Sequence, residues 1–273
     1  MLLMEGLGYG ESPRWHDGRL WLCNWGTREV VALSMDGTSE VMLTVPTTMP
    51  YSIDWLPAPD GRLLVVSGQE ALLLRQEPDG SLVTHADLKP FGAVFNEIVV
   101  DRRGNAYVNG GNVVLVTPAG EAREVADGIR FGNGMAITPD GATLIVAESH
   151  GNCLTAFDIG ADGTLSGRRV WAALGTGYPD GICVDAEGAV WYADVPHKHC
   201  VRIREGGEVL ATVDVDRGCF ACMLGGPDGT TLFVAAATWR GMDHIHDGDR
   251  LGVLVTAEAP APAAGWPASG RTA

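Results

Sequence analysis

The stretch PDGRLLVVSG (residues 59–68) joins a glycine turn to a short apolar run, and the same pattern occurs six times along the chain. The other copies are HDGRLWLCN (16–24), RRGNAYVNG (102–110), PDGATLIVAES (139–149), AEGAVWYAD (186–194) and PDGTTLFVAAA (227–237). The turn glycines of successive copies lie 37 to 47 residues apart. Repeats of about 42 residues made of short strands are typical of β-propeller blades. The sequence therefore predicts an all-β, six-bladed β-propeller with four-stranded blades.

The segments between these copies supply the remaining strands. A third strand follows the first two, as in ALLLRQEPDG (71–80), and a more variable fourth strand follows a second turn, as in EVLATVDV (208–215). After Gly229 only two further strands can be recognised, so the last blade is one strand short. We expect the N-terminal strand, residues 2–6, to complete it, because this closure pairs both edges of the ring. The single propeller domain then spans residues 1–257, and the Pro/Ala-rich tail 258–273 is expected to bury little and to be mobile.

The composition is that of an acidic globular protein. Of 273 residues, 46% are hydrophobic, and 34 acidic against 19 basic side chains give a formal net charge of −15. This charge repels nucleic acid and anionic membranes, so neither is expected as a partner. The first residues, MLLMEGLGYG, lack the pattern of an export signal, and we expect a cytoplasmic protein that is a monomer or a weak homodimer. The six cysteines are accordingly expected to be free and buried.

Polar residues recur at one phase of the repeat, where an apolar strand begins ahead of each turn. Asn96, Asn133 and Asp180 each lie eight residues before their turn glycine, and Glu11 lies seven before its own. Equivalent positions of a propeller converge on its axis, and clustered carboxylates there repel one another unless a cation is present. Oxygen ligands without histidine or cysteine favour Ca²⁺, Mg²⁺ or Mn²⁺. The open alternative is that Asn133 and Asp180, each followed by glycine, only form turns.

Four motifs surround these residues. They are GESPRW (10–15), FNEIVVDRRGNAYV (95–108), FGNGMAITPDG (131–141) and YPDGICVDAEGAVWYAD (178–194). In order and spacing they resemble the senescence-marker-protein, gluconolactonase and luciferin-regenerating-enzyme (SMP-30-like) family. The resemblance implies a six-bladed propeller that hydrolyses lactones and related esters with one divalent cation, Ca²⁺ first and Mg²⁺, Mn²⁺, Zn²⁺ or Fe as alternatives. It also implies that Glu11, Asn133 and Asp180 bind the metal and that Asn96 lies near the metal or its bound substrate.

One position departs from the family pattern. Sugar-lactonase members usually carry arginine two residues before the asparagine of the second motif, where it meets substrate hydroxyls, but this sequence has Val94 there. It also has Glu97 where aspartate is common. Valine cannot replace the hydrogen-bonding fork of a guanidinium. We therefore expect weak activity on sugar lactones and better activity on a less hydroxylated substrate.

Asp180 is the expected catalytic residue, combining metal ligation with proton transfer. In a hydrolytic site the cation polarises the lactone carbonyl and stabilises the oxyanion while a water attacks. Other side chains could act as the base instead of Asp180. Each of them lies at or just after the end of the second strand of a blade, and that end could lie near the metal site. They are Glu148, His150 and Asp194.

Substrate contacts are expected from polar and aromatic side chains near strand ends. They are Asn96, Tyr51, Glu148 and Trp25, with Tyr178, Phe220 and Trp239 as further candidates for the pocket wall or the core. Two other functions remain open at this point. One is an organophosphate-type hydrolase that uses the same site, and the other is a non-catalytic small-molecule-binding propeller with a structural metal.

Overall fold

The computed structural model describes residues 1–241, 244, 247 and 250–267, and its strands form six four-stranded antiparallel sheets. Five sheets use four consecutive strands, while the sixth combines the last three strands with the first. The predicted six-bladed β-propeller is therefore confirmed. Within the described residues, no helix has the length and apolar character needed to cross a membrane.

The first three blades follow one another from residue 10 to residue 126. Blade 1 contains β2 (Gly10–His16), β3 (Arg19–Asn24), β4 (Glu29–Leu33) and β5 (Ser39–Thr44). Blade 2 contains β6 (Tyr51–Trp55), β7 (Leu63–Ser67), β8 (Leu72–Gln76) and β9 (Leu82–Asp87). Blade 3 contains β10 (Ile98–Val100), β11 (Ala106–Asn109), β12 (Val113–Val116) and β13 (Ala122–Ala126).

The last three blades complete the ring. Blade 4 contains β14 (Gly132–Ile137), β15 (Thr143–Glu148), β16 (Cys153–Ile159) and β17 (Leu165–Ala173), with a 3₁₀ turn at Ser149–Gly151. Blade 5 contains β18 (Pro179–Val184), β19 (Val190–Asp194), β20 (His199–Ile203) and β21 (Val209–Asp214). Blade 6 contains β22 (Gly218–Gly225), β23 (Thr231–Ala237), β24 (Gly252–Glu258) and β1 (Leu2–Leu7).

The innermost strand of each blade contacts its counterpart in the next blade. These strands are β2, β6, β10, β14, β18 and β22, and β22 contacts β2. They are buried almost throughout, because a neighbouring blade covers each face, whereas an outermost strand such as β5 is largely exposed. Each blade begins with its inner strand, so all six inner strands run in the same direction. Their first residues therefore meet at one end of the axis, which we call the mouth.

The N-terminal strand closes the ring. β1 pairs antiparallel with β24, from Leu2 opposite Val255 to Leu7 opposite Gly252. The side chain of Leu7 is fully buried. The edge of β24 is thus paired, which confirms the predicted closure of the last blade.

The first part of the Pro/Ala-rich tail packs against the propeller, contrary to the expectation that it buries little. Ala259 and Ala261 are buried. Trp266 exchanges two backbone hydrogen bonds with Ile137 of blade 4, at 2.7 and 2.9 Å. The expectation was wrong here because backbone pairing and a single tryptophan give the segment an anchor that composition does not reveal. Residues 268–273 of the tail lie outside the described residues.

The cysteines behave as the sequence predicts. All six are free and buried. The thiol of Cys222, for example, lies 3.5 Å from the carbonyl oxygen of Gly181 and 3.6 Å from that of Trp191. Cys222 of blade 6 thus contributes to packing against blade 5.

Candidate metal centre

Glu11 and Asp180 lie at the mouth, on the inner strands of blades 1 and 5. Burial raises the pKa of Glu11 well above its usual range, and the charges of Asp180 and Glu97 raise it further. Burial likewise raises the pKa of Asp180, with added repulsion from Glu97 and Asp194. The Asn133 side chain opposes this shift by hydrogen bonding. These carboxylates from different blades therefore lie within electrostatic reach of one another.

Two asparagines join this cluster. The Asn96 Nδ2 donates to the Asn133 Oδ1 at 3.2 Å and to the Gly132 carbonyl oxygen at 3.2 Å. The Asn133 Nδ2 donates to the Ser149 hydroxyl at 3.4 Å. The polar positions of blades 3, 4 and 5 are therefore neighbours, in keeping with their shared phase. Their roles towards a metal stay predictions.

Irregular pairing in the inner strands sets the direction of these side chains. The register shift of β14 includes Asn133, that of β18 includes Asp180, and that of β2 follows Glu11. A β-bulge turns a side chain away from the regular alternation of the strand. Asn133 and Asp180 thus lie inside strands, so the alternative in which they only form turns is wrong.

The glycines that follow these two residues allow the inner strands to approach closely. A Cβ on Gly134 would lie 2.4 Å from the Ile182 nitrogen and 2.7 Å from the Asp180 carbonyl oxygen. A Cβ on Gly181 would lie 2.7 Å from the Cβ of Ala221. Neither position accepts a side chain unless the next blade moves. The two glycines therefore fix the spacing of blades 4, 5 and 6 at the axis.

Arg14 neutralises one of the buried carboxylates. Its Nη2 lies 3.0 Å from the Glu97 Oε1 and donates at 2.7 Å to the Ile98 carbonyl oxygen. The same Glu97 oxygen accepts the Ser12 hydroxyl at 3.0 Å. Neither of these contacts of Glu97 was predicted from the sequence. The available signal was the charged residue Arg14 inside the motif GESPRW, which belongs to a predicted inner strand.

The donor set fits a hard divalent cation. Among the described residues, no basic side chain forms an ion pair with Glu11 or Asp180. The Asp180 Oδ1 is buried and has no hydrogen-bond partner in the described part of the chain, which is costly for a carboxylate oxygen. Carboxylate and amide oxygens, as in Glu11, Asp180 and Asn133, are ligands that Ca²⁺, Mg²⁺ and Mn²⁺ prefer. One divalent cation matches the two unpaired negative charges.

Two of the expected substrate contacts are occupied by structural interactions. Tyr51 is fully buried, and its hydroxyl donates to a backbone carbonyl at 2.7 Å. Glu148 is 1% exposed and accepts hydrogen bonds from the Thr155 hydroxyl (2.6 Å), the Arg130 amide (2.8 Å) and the Arg168 guanidinium (3.1 Å). The expectation that Tyr51 and Glu148 contact substrate is wrong, because packing and ion pairs engage both side chains.

Apolar side chains line the mouth. In blades 3, 4 and 5 an apolar side chain lies two residues before the polar residue at the mouth. These apolar side chains are Val94, Phe131 and Tyr178, and they are 45%, 56% and 42% exposed. The ring of His150 stacks on Phe131 with centroids 4.5 Å apart. Tyr178 was predicted as a candidate for the pocket wall or the core, whereas Phe131 was not predicted. A ligand that enters the site therefore passes apolar surface first.

An aromatic group extends this surface towards blade 6. Tyr9, Phe220 and Trp239 contact one another edge to face, with centroids 5.4 to 5.8 Å apart. Trp25 packs partly buried against this group, and its indole nitrogen donates to the Tyr51 carbonyl oxygen at 2.7 Å. A contact between Trp25 and substrate stays a prediction.

A second group of potential metal ligands lies beside the carboxylate cluster. Asp194, His197 and His199 each offer one ligand atom, and these atoms lie within 4.8 Å of one another. The charge of Asp194 also raises the pKa of Asp180, so the two groups are close. Asp194 was predicted only as an alternative base, and neither histidine was predicted, because both lie off the phase of the other site residues. The available signal was the His-x-His spacing that begins within the turn between β19 and β20.

Three similarities connect this chain to known proteins. The model of the SMP-30/Gluconolactonase/LRE-like region matches residues 9–238. Regucalcin from Xenopus laevis is 26% identical over 264 residues, which cover 89% of this chain and 87% of that protein. 6-Deoxy-6-sulfogluconolactonase from Pseudomonas putida is 26% identical over 182 residues, which cover 64% of this chain and 62% of that protein.

Structural comparison agrees with the sequence match. A luciferin-regenerating enzyme superposes with a TM-score of 0.81 at 19% sequence identity, covering 96% of this chain and 95% of that one. Similarity at this level of identity establishes a shared fold. With the match over residues 9–238, the chain belongs to the SMP-30/gluconolactonase/LRE-like family.

Proposed function

We propose that this protein is a divalent-metal-dependent hydrolase of lactones or related esters, with Glu11, Asn133 and Asp180 as the metal ligands. The observation that carries the proposal is the pair of buried carboxylates, Glu11 and Asp180, without a basic partner in the described part of the chain. Membership of a family that includes a relative named as a lactonase supports the choice of reaction. The oxygen-only donor set favours Ca²⁺ over Zn²⁺ or Fe.

The cation, when bound, polarises the substrate carbonyl and stabilises the negative charge that develops on its oxygen. Asp180 has an unpartnered buried oxygen and accepts a proton from the attacking water. The water adds to the carbonyl carbon, the ring C–O bond breaks, and the leaving alkoxide takes up the proton that Asp180 received, which gives a hydroxy acid and restores the carboxylate. Asn96 is hydrogen-bonded to Asn133 and orients the substrate with its amide. This arrangement keeps the reacting groups together at one end of the axis.

The exposed side chains at the mouth indicate the class of substrate. Val94 and Phe131 are exposed apolar side chains where polyhydroxylated sugars would need hydrogen-bond donors. Tyr178 and Trp239 add exposed rings at the same end of the propeller. We infer a preference for aliphatic or aryl-substituted lactones and esters over sugar lactones.

Steady-state hydrolysis by metal-stripped protein, with and without added Ca²⁺, tests this proposal. The panel comprises gluconolactone, an aliphatic γ-lactone, an aryl ester and a phosphotriester. We expect the aliphatic lactone or the aryl ester to be hydrolysed only with metal, and Asp180→Asn and Glu11→Gln to reduce kcat/KM by at least about 100-fold. Glu148→Gln is the matched control, because this carboxylate is engaged outside the cluster.

Wild-type rates in Asp180→Asn would remove Asp180 from the mechanism. Turnover of the phosphotriester alone would change the electrophile to phosphorus. Ca²⁺-dependent melting without turnover of any substrate would make the metal structural and the protein a binding module. The cytoplasmic location and the monomeric or weakly dimeric state stay predictions from the sequence.

A further inference from the structure

We propose that Asp194, His197 and His199 form a second divalent-metal site, separate from the carboxylate cluster and suited to a borderline cation such as Zn²⁺. The proposal does not rest on lactone hydrolysis, because it concerns other side chains and a different class of metal. Its basis is the convergence of two imidazoles and one carboxylate on one side of a tight turn.

The backbone brings the three residues together. Asp194 ends β19 and His199 begins β20, and the two are direct partners in the antiparallel ladder. The connecting turn places Lys198 in the left-handed region, at φ 59°, and its amide donates to the Asp194 carbonyl oxygen at 3.0 Å. His197 lies in this turn, and its ring stacks on that of His199, so the two imidazoles lie on the same side of the turn. The turn therefore folds His197 back over Asp194.

The ligand atoms are already near the spacing that a metal requires. The His197 Nδ1 lies 2.9 and 3.0 Å from the two Asp194 carboxylate oxygens, and the His199 Nε2 lies 3.8 Å from one of them. The two imidazole rings stack, with centroids 5.6 Å apart and 18° between their planes. Nitrogen and oxygen ligands at about 2.0–2.1 Å in a tetrahedral zinc site lie about 3.4 Å from each other. Small side-chain movements would complete the geometry.

Neighbouring groups hold the carboxylate in position. Asp194 is fully buried and accepts hydrogen bonds from the backbone amides of Tyr178 (2.9 Å) and His197 (3.1 Å). The other ring nitrogen of His199, Nδ1, faces the Asp214 carboxylate at 4.0 Å. Outer groups of this kind orient metal ligands and strengthen binding.

The chemistry distinguishes this group from the carboxylate cluster. Two imidazoles and one carboxylate favour transition metals and Zn²⁺, whereas the oxygen donors around Asp180 favour Ca²⁺. The side chains of His197 and His199 are 38% and 25% exposed, so a bound metal keeps a position open to solvent or ligand. The two sites should therefore be separable by competition between metals.

The test is calorimetric titration of metal-stripped protein with Zn²⁺ in the presence of excess Ca²⁺. We expect wild type and Asp180→Asn each to bind one equivalent of Zn²⁺ under these conditions. The double variant His197→Gln/His199→Gln should weaken this binding by well over tenfold. His150→Gln is the matched control, since His150 is exposed at the same mouth but lies outside the group, and it should bind Zn²⁺ like wild type.

A second readout uses Co²⁺ in place of Zn²⁺, because the position and intensity of its visible d–d absorption report the coordination of the bound metal independently of activity. The expected band should be present in Asp180→Asn and absent in the double histidine variant. Unchanged Zn²⁺ binding in the double variant would overturn the proposal, as would the absence of Zn²⁺ binding in wild type. Either result would leave Asp194 and His197 as a hydrogen-bonded pair only. Melting curves establish that each variant is folded.

Discussion

Asp180 and Glu148 are both acidic side chains on buried strands, yet their surroundings differ. Burial raises the pKa of Asp180, and repulsion from Glu97 adds to the effect. Burial acts in the same direction on Glu148, but hydrogen bonds from Thr155 and the Arg130 amide, with the Arg168 charge, outweigh it and lower the pKa. Burial is common to both carboxylates. Their hydrogen bonds and ion pairs therefore distinguish Asp180, a candidate metal ligand, from Glu148, a structural residue.

Asp180→Asn should stabilise the metal-free protein at neutral pH. A carboxyl whose folded-state pKa is raised stabilises the fold below its unfolded pKa, about 3.9, and loses that contribution as pH rises through the folded value. The variant should therefore melt several degrees above wild type at pH 8, and the gap should narrow as pH falls towards 5. Thermal melting in EDTA measures it. An equal or lower melting temperature at pH 8 would show that the Asp180 charge is already compensated.

Glu148→Gln should have the opposite pH dependence. Its lowered pKa contributes stability above the unfolded value of about 4.3, and this is lost as pH falls through the folded value. Because both arginine partners are partly exposed, the expected loss at pH 7 is only about 1 kcal/mol. Urea unfolding at pH 7 and pH 4 measures the change. A large fall in kcat with unchanged stability would restore Glu148 as a substrate contact.

The repeat period is sufficient to predict that Asn96, Asn133 and Asp180 lie together. Residues at the same position of successive repeats are related by rotation about the propeller axis, so they meet at the same end of it. Period alone does not say which face of a blade a side chain occupies, so Tyr51 and Glu148 were assigned to the wrong surroundings. The histidine pair at 197 and 199 was missed for a related reason. Its position depends on one tight turn and not on the repeat.

The inner strands of blades 4 and 5 combine a bulge with a following glycine. The bulge directs Asn133 and Asp180, and Gly134 lets β14 lie against β18. Dipeptide composition suggested turns at these positions, since Asn-Gly and Asp-Gly are common in turns. Tertiary packing overrides that local preference, which the sequence of a single strand cannot reveal.

Gly134→Ala should separate the two strands at the axis. The added Cβ would lie 2.4 Å from a backbone nitrogen of β18, so Asp180 must move relative to Asn133. We expect Ca²⁺ affinity to fall by at least about tenfold, as when groups that orient a metal ligand are removed. Gly111→Ala is the control, because a Cβ there meets no atom within 4 Å. Calorimetric titration with Ca²⁺ compares them, and equal affinities would show that the glycine does not position the site.

The whole ring depends on the pairing of its first and last strands. The strand count predicted this closure, because the last blade lacked one strand in sequence. The docking of residues 259–267 was not predictable in the same way, since it rests on backbone pairing to blades 4 and 5. Contacts between segments far apart in the chain leave little trace in local composition.

Leu7→Ala should destabilise the closed ring. Leu7 is fully buried on β1, whereas Leu2 on the same strand is 50% exposed. Cavity formation should cost about 3 kcal/mol for Leu7→Ala, and Leu2→Ala should change stability by less than about 0.5 kcal/mol. Urea unfolding measures both. Equal losses would mean that the strand contributes by backbone pairing alone.

The most direct measurement is an anomalous difference map from a crystal of the wild-type protein soaked in Mn²⁺, which can stand in for Ca²⁺ at oxygen ligands. We expect a peak at the mouth within about 2.0–2.5 Å of side-chain oxygens from Glu11, Asn133 and Asp180 together. A saturated crystal with no peak among these three side chains, or with their oxygens too far apart to share one ion, would contradict it.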